Sequence, residues 1–407
     1  MVPKGWKATE IDNLATFLSG GTPSKQNQSY WNGTEPWISG KDLKSHYLYS
    51  SIDKLTKEGF TIAKKVPKGT VLILVRGMTL LKDFPVGYTT REVSFNQDLK
   101  ALIPSKNVDG LYLSFLLVGE RHKIMNLVST AGHGTGRLDT NLLKHHPVNL
   151  PPLPEQQKIA KILATWDKAI STTERLIDNS QQQKKALMQQ LLTGKQRLLD
   201  DSGVRFSGEW EKVKLGDVAA MNSGGTPKST VKAYYGGDIP WVSISDMTKY
   251  GKWISITERY LTEEGLLSSS ARLYPKGTIL YAMYASIGEC SIADIPVSSS
   301  QAILGIRPSE KLNNLYLYYY LSNLKKRIAQ MGQQGTQANL NAGMVKEFRL
   351  NLPSLEEQQK IATVLTNADR EIELLQQQLA DLQQEKRALM QQLLTGKRRV
   401  LVDGEVA

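Results

Sequence analysis

The chain's 407 residues, 40% hydrophobic and 22% charged, have the composition of a folded, water-compatible protein, and a chain of that length is expected to divide into at least two domains. The net charge of +12 points to an anionic partner, nucleic acid first, because clustered Lys and Arg gain affinity by displacing counterions from phosphates. No run approaches the roughly 18 apolar residues of a spanning helix, the start from Met1 to Trp6 lacks the apolar stretch of a secretory signal, and Cys290 is the only cysteine. A cytoplasmic protein without an internal disulfide is therefore expected, with Cys290 as a small core residue.

In chain order, Ser19-Gly-Gly-Thr-Pro23 marks a turn and Pro36-Trp37 an anchor; Pro67-Lys-Gly-Thr70 is a second turn, from which the β-type run Thr70-Val-Leu-Ile-Leu-Val75 emerges. Leu111 to Leu127 reads as one helix. The boundary Pro151-Pro152-Leu-Pro154 then opens a long helix, Glu155 to Lys195. Its apolar residues Ile159, Ile162, Leu163, Trp166, Ile170, Leu176, Ile177, Leu187 and Leu191 fall near a 3.5-residue period, weakened in the middle by Thr173, Ser180 and Lys184. It stops at Thr193-Gly194, where glycine supplies a left-handed cap.

The same order then returns. Ala186 to Lys195 recurs letter for letter as Ala388 to Lys397, a displacement of 202, and ten identical residues in a row are not chance. Glu155 to Ala160 returns as Glu357 to Ala362, Asn149-Leu-Pro as Asn351-Leu-Pro, Ser19 to Pro23 as Ser223 to Pro227, Pro36-Trp37 as Pro240-Trp241, and Pro67 to Thr70 as Pro275 to Thr278. The second copy has its own β-type run, Thr278 to Tyr281, and a helix from Tyr316 to Gln330 whose Tyr316, Tyr318, Tyr319 and Tyr320 read as core packing rather than a base-stacking platform. Its long helix carries a cleaner seam at Ile361, Val364, Leu365, Ala368, Ile372, Leu375, Leu379, Leu382, Leu389 and Leu393. Between about 24 and 140 and between 228 and 340 only scattered anchors are shared, so one scaffold carries two different surfaces. The charge is uneven as well: 27 basic less 18 acidic residues give +9 over 1–203, and 24 less 21 give +3 over 204–407.

The fold class expected is α+β, with two globular domains at 1–150 and 201–352 and helical spacers at 151–200 and 353–407. A helix of about 41 residues runs roughly 60 Å. To bury its seam, the second long helix must run back along the first, giving an antiparallel two-helix coiled coil and an approximate two-fold relation between the copies. Two unlike basic heads so held suit an asymmetric, bipartite DNA target.

Two variable domains alternating with near-identical helical regions that end in Ala-Leu-Met-Gln-Gln-Leu-Leu-Thr-Gly-Lys resemble the specificity subunits of type I restriction-modification enzymes, over essentially the whole chain. The resemblance implies target-recognition domains that bind double-stranded DNA, helical regions that dock two methyltransferase subunits and, for cleavage, two restriction/translocase subunits. It implies no catalytic site, metal or cofactor on this chain, with S-adenosylmethionine, ATP and Mg expected on the partners. By the same resemblance, DNA contacts lie in loops after the anchored strands. In the first head these are Trp37, Ser39, Lys41 and Asp42, then Arg76 and Met78, then His133, Thr135 and Arg137. In the second they are Trp241, Ser243, Ser245 and Asp246, then Tyr281, Tyr284 and Ser286, then Gln333, Gln334, Thr336, Gln337 and Asn339. Against this, Trp37 and Trp241 fit packing beneath the loops, and Asp42 and Asp246 fit turn caps.

Enzymatic alternatives lack their motifs. Gly132-His-Gly-Thr-Gly136 has neither the strand before it nor the helix and acidic residue after it that dinucleotide binding needs, and no Gly-Lys-Ser/Thr phosphate loop occurs. Asn149-Leu-Pro-Pro152 lacks the aromatic residue of an amino-methyltransferase, and His145-His146 has no metal-spaced companions. A helical scaffold organising protein partners without reading DNA is the other alternative, opposed by the basic charge and the divergence of the heads.

Overall fold

The computed structural model describes residues 2–130, 134–332 and 340–401, and contacts gather them into two compact units, 1–174 with 377–407, and 175–376. The division passes through the long helices, Leu153–Leu191 and Leu355–Leu394, so each unit holds one head and half of each helix.

In the first unit the central sheet has the strand order Ala15–Ser19, Leu99–Pro104, Val71–Leu74, Val86–Thr89, Tyr47–Leu48. Val71–Leu74 is apolar throughout and buried throughout, as a strand covered on both faces must be. The turn before it forms because Gly69 takes φ +91° and Thr70 Oγ1 donates to the Pro67 carbonyl at 2.9 Å. A second sheet joins Lys54–Leu55, Trp31–Ile38, Val93–Phe95 and Lys65–Val66. Lys7–Glu10 pairs antiparallel with Pro147–Leu150, bringing the beginning of the head to its end where the long helix starts. The helix expected from Leu111 to Leu127 is two, Gly110–Gly119 and Arg121–Met125. The break falls at Glu120, whose φ −83° and ψ 0° depart from the helical values, beside Gly119, where a Cβ would stand 2.8 Å from Leu394 Cδ1 and push that side chain aside.

The second unit repeats the plan. Its sheet runs Ala219–Ser223, Ile303–Pro308, Ile279–Ala282, Cys290–Ala293, Trp253–Ile254, and Glu211–Lys214 pairs with Arg349–Leu352. Cys290 is buried in its strand, and burial pushes the thiol up, away from reactivity. Asn314–Gly332 covers the sheet, with Tyr316 and Tyr319 buried, so this aromatic stripe is core.

Within each unit the helix halves run antiparallel. Glu155 meets Arg399 and Asp167 meets Lys386 in the first; Ser180 meets Glu371, Lys184 meets Asp369 and Arg197 meets Glu357 in the second. Gly194 and Gly396, at φ +71° and +68°, cap the helix ends. The seam has a stricter phase than its leucines suggest: Thr173, Ile177 and Ser180 are buried, whereas Leu176 is 46% exposed. The polar residues that break the apolar pattern therefore occupy the seam. Thr173 satisfies its hydroxyl on the Ala169 carbonyl and Ser180 on Glu371 Oε1, 3.1 Å away. In each unit the head's apolar core continues onto the helices, through Ile159, Leu163, Leu393 and Leu394 in the first and Leu191, Ile361 and Leu365 in the second. Each such side chain fully buried contributes about 1.5–3 kcal/mol.

Polar contacts fix how head meets helices. Glu155, almost wholly buried, accepts both Nε and Nη2 of Arg399 and the Trp6 indole; Glu357 accepts the same groups of Arg197 and Trp210. Gln156 and Gln358 each bridge the head to the proline that precedes their helix. Farther along, Asp167 accepts from Tyr47 and Lys386, while Asp369 accepts from Tyr319 and Lys252 and pairs with Lys184. Burial would raise the Asp369 carboxyl, but Lys184, Tyr319 and Lys252 together hold it below the usual range.

Candidate nucleic-acid interface

The residues after the anchored strands divide into a buried set that shapes loops and an exposed set that presents groups. Trp37 is the penultimate residue of the strand Trp31–Ile38 and is buried; its indole donates to the Gly21 carbonyl at 3.1 Å and stands edge-on to Trp31. Trp241 does the same to Gly225 at 3.0 Å. Both indoles thus tie down the Ser-Gly-Gly-Thr-Pro loops. A Cβ on Gly20 would lie 2.0 Å from the Asn96 carbonyl oxygen, so that loop needs its glycine.

Asp42 Oδ2 accepts the amide and hydroxyl of Ser39, and Oδ1 accepts the Ile52 amide at 2.7 Å. Asp246 holds Ser243 and the Glu258 amide in the same way and completes a capping box. These carboxylates are spent on the turn, and Tyr281 lies fully buried against Phe348. Trp37, Asp42, Trp241, Asp246 and Tyr281 therefore shape the surface from beneath; side chains so engaged leave little for a partner. Ser39 is buried and Ser243 half-buried, both engaged with their aspartates.

Lys41, Arg76, Met78, Arg137, Ser245, Tyr284 and Ser286 are exposed, and Thr135 is half-buried. His133, Gln333, Gln334, Thr336, Gln337 and Asn339 lie outside the described residues. Arg76 and Arg137 come together: Arg76–Gly77 pairs antiparallel with Gly136–Leu138, placing the two arginines directly opposite. They line a cleft of about 510 Å³ with Gln97, Lys100, Ser129 and Asn141. Its single carboxylate, Asp139, accepts the Asn141 and Leu142 amides as a helix cap. Sequence reasoning missed Lys100, Gln97 and Asn141, which reach the cleft only through the fold.

In the second head the segment after the equivalent strand, Ile279–Ala282, carries Tyr284, Ala285 and Ser286, the last two at φ +37° and +42°. Non-glycine residues held there cost about 1 kcal/mol or more each, and such strain concentrates at functional loops. Leu138 donates its amide to the Val75 carbonyl and Leu340 to that of Met283, at 3.0 and 3.1 Å, so Arg76 and Tyr284 hold equivalent places on unlike surfaces. Among the described residues no group of three or more His, Cys, Asp or Glu is placed to hold a metal, and no helix is long and apolar enough to cross a membrane.

A family model described as "Type I restriction modification DNA specificity domain" matches residues 3–179 and again 207–384. Over 168 residues the chain is 37% identical to the type I restriction enzyme MjaIX specificity subunit of Methanocaldococcus jannaschii, an alignment spanning 40% of this chain and 39% of that protein. It is 25% identical over 418 residues to the putative type I restriction enzyme MjaX specificity subunit of the same organism, spanning 98% and 95%. The crystal structure of the type I restriction-modification system S subunit from M. genitalium matches with a TM-score of 0.61 at 16% identity, covering 97% of this chain and 99% of that one. At that identity the likeness is one of fold.

Proposed function

Because the chain belongs to the type I restriction-modification DNA specificity family, with two copies of its domain, we propose that it reads an asymmetric, bipartite duplex target, one half-site per head. The observation that carries this reading is the pairing of a duplicated scaffold with unlike exposed loops: Arg76 and Met78 after the central strand of one head, Tyr284 and Ser286 after that of the other. Arg, Ser and Tyr hydroxyls are types that bond base edges or phosphates. In this reading the long helices form an antiparallel coiled coil and the copies obey an approximate two-fold. The equivalence of Lys184–Asp369 and Lys386–Asp167, one pair in each unit, supports it.

Specificity subunits are non-catalytic, and the outer helix faces are the proposed docking surfaces for two methyltransferase and two restriction subunits in the cytoplasm. S-adenosylmethionine, ATP and Mg belong to those partners. Purified chain incubated with S-adenosylmethionine and DNA is expected to transfer no methyl group; transfer without added subunits would refute this role. Single-molecule sequencing of methylated genomic DNA, with and without the chain, identifies the target. Arg76→Ala is expected to weaken or relax one half-site only, and Gln337→Ala with Asn339→Ala the other. Unaltered methylation specificity would remove those residues from the interface.

A further inference from the structure

We propose that the two heads hold DNA by different physics: the first grips phosphates in the cleft of Arg76, Arg137 and Lys100, while the second engages its half-site with no cation at the equivalent place. The inference rests on the DNA-reading role above.

Like charges directly opposite on antiparallel strands destabilise their pairing, yet Arg76 faces Arg137 in register. Among the described residues neither has an ion-pair partner, and the only carboxylate in the cleft already caps a helix. Lys100 enters from the neighbouring strand and donates to the Ser19 hydroxyl, which leaves its charge uncompensated. An uncompensated cationic cluster lining a cleft at the loop end of a rigid sheet is suited to an anion supplied from outside. The duplicated register identifies the counterparts. Lys100 pairs with Ser19 and Ile73, and Leu304 pairs with Ser223 and Tyr281 in the same strand order. Position by position, Arg76 becomes Tyr284, Lys100 becomes the buried Leu304, and Arg137 becomes Asn339, two residues ahead of a helix-capping Asn341 where the first head has Asp139. In place of the first head's three cations the second head's sequence therefore has a phenol, a buried aliphatic side chain and an amide.

Each phosphate neutralised adds about −0.9 to the slope of log K against log salt. The test is fluorescence anisotropy of the purified full chain on a duplex carrying its methylation target, between 50 and 200 mM salt. Arg76→Gln with Arg137→Gln is expected to make the slope shallower by about 2, so that wild type loses about tenfold more affinity than the variant across that range. Lys100→Gln should flatten it by about 1 and provides the reading should the double variant not fold. Tyr284→Ala with Ser286→Ala should leave the slope unchanged. A first-head variant with the wild-type slope, or a second-head variant that flattens it, overturns the proposal. Wild-type chain that shows no salt-dependent DNA binding instead overturns the DNA-reading role on which it rests.

Discussion

Replacing Arg197 by alanine is expected to lower the unfolding midpoint of the second unit by roughly 6–20 °C. Glu357 is only 1% exposed, and its two oxygens accept Arg197 Nε at 2.6 Å and Nη2 at 2.7 Å, with the Trp210 indole at 3.1 Å. Removing the guanidinium leaves a buried carboxylate with a single neutral donor, and stranding one member of a buried pair costs about 3–5 kcal/mol. In a unit of about 200 residues each kcal/mol moves the midpoint by about 2–4 °C. The guanidinium also lies over the Trp210 ring, 5.5 Å from its centroid, so packing is lost with the charge. Arg399→Ala in the first unit should cost less, because Arg399 is 41% exposed against 20% for Arg197 and water has better access to the vacated site. Replacing Arg197 by Met together with Glu357 by Leu should recover most of the loss, since the cost lies in the orphaned charge. Thermal melts followed by circular dichroism check all three; an Arg197→Ala midpoint within about 2 °C of wild type would contradict the assignment.

That clasp was written in the sequence without being readable there. Trp6 and Trp210, Glu155 and Glu357, Arg197 and Arg399 all recur between the copies, but repetition shows that positions are shared and not that they touch. Regular features were the legible ones: long helices betray themselves by a period, and Val71–Leu74 by an unbroken apolar run. Leu176 reads as a seam residue because apolar character is the mark of burial a sequence offers, yet it is exposed. The phase set by Ile177 instead buries Thr173 and Ser180, whose hydroxyls find partners, and turns Leu176 outward. Gly119 lies against Leu394, 275 positions away, a contact that no local pattern conveys.

For the candidate interface a sequence conveys the order of the loops along the chain but not the direction in which each side chain points. Asp42 and Asp246 fit both contacts and turn caps in the sequence; in the structure both carboxylates accept the serine three residues before them, Ser39 and Ser243, as turn caps do. Lys100 sits in the short strand Leu99–Pro104, which carries no turn signal or repeat anchor of its own, and its membership of the Arg76 and Arg137 cleft follows from the strand order.

The junction between head and helices predicts a difference between the units in acid. His46 in the first unit is largely enclosed, with Nε2 on the Ser114 hydroxyl at 3.0 Å and its ring stacked on Phe115. Burial lowers its pKa to about 4, opposed by Asp167 and assisted by Lys386. The folded form thus refuses a proton that the unfolded chain accepts from about pH 6.5 downward, so stability is complete above that pH and falls as pH drops toward about 4. At pH 5 the loss amounts to up to about 2 kcal/mol. In the second unit Lys252 makes the equivalent approach, to Asp369, and that carboxylate, held below its usual range, gives up its contribution only at lower pH. His46→Phe keeps the stacking and removes the titration, while Ser114 retains the Leu111 carbonyl as acceptor. Urea unfolding of both proteins at pH 7 and pH 5 is therefore expected to show the stability of wild type relative to His46→Phe falling by about 2 kcal/mol at the lower pH. Parallel losses in the two proteins would mean that the imidazole does not govern the junction's response to acid.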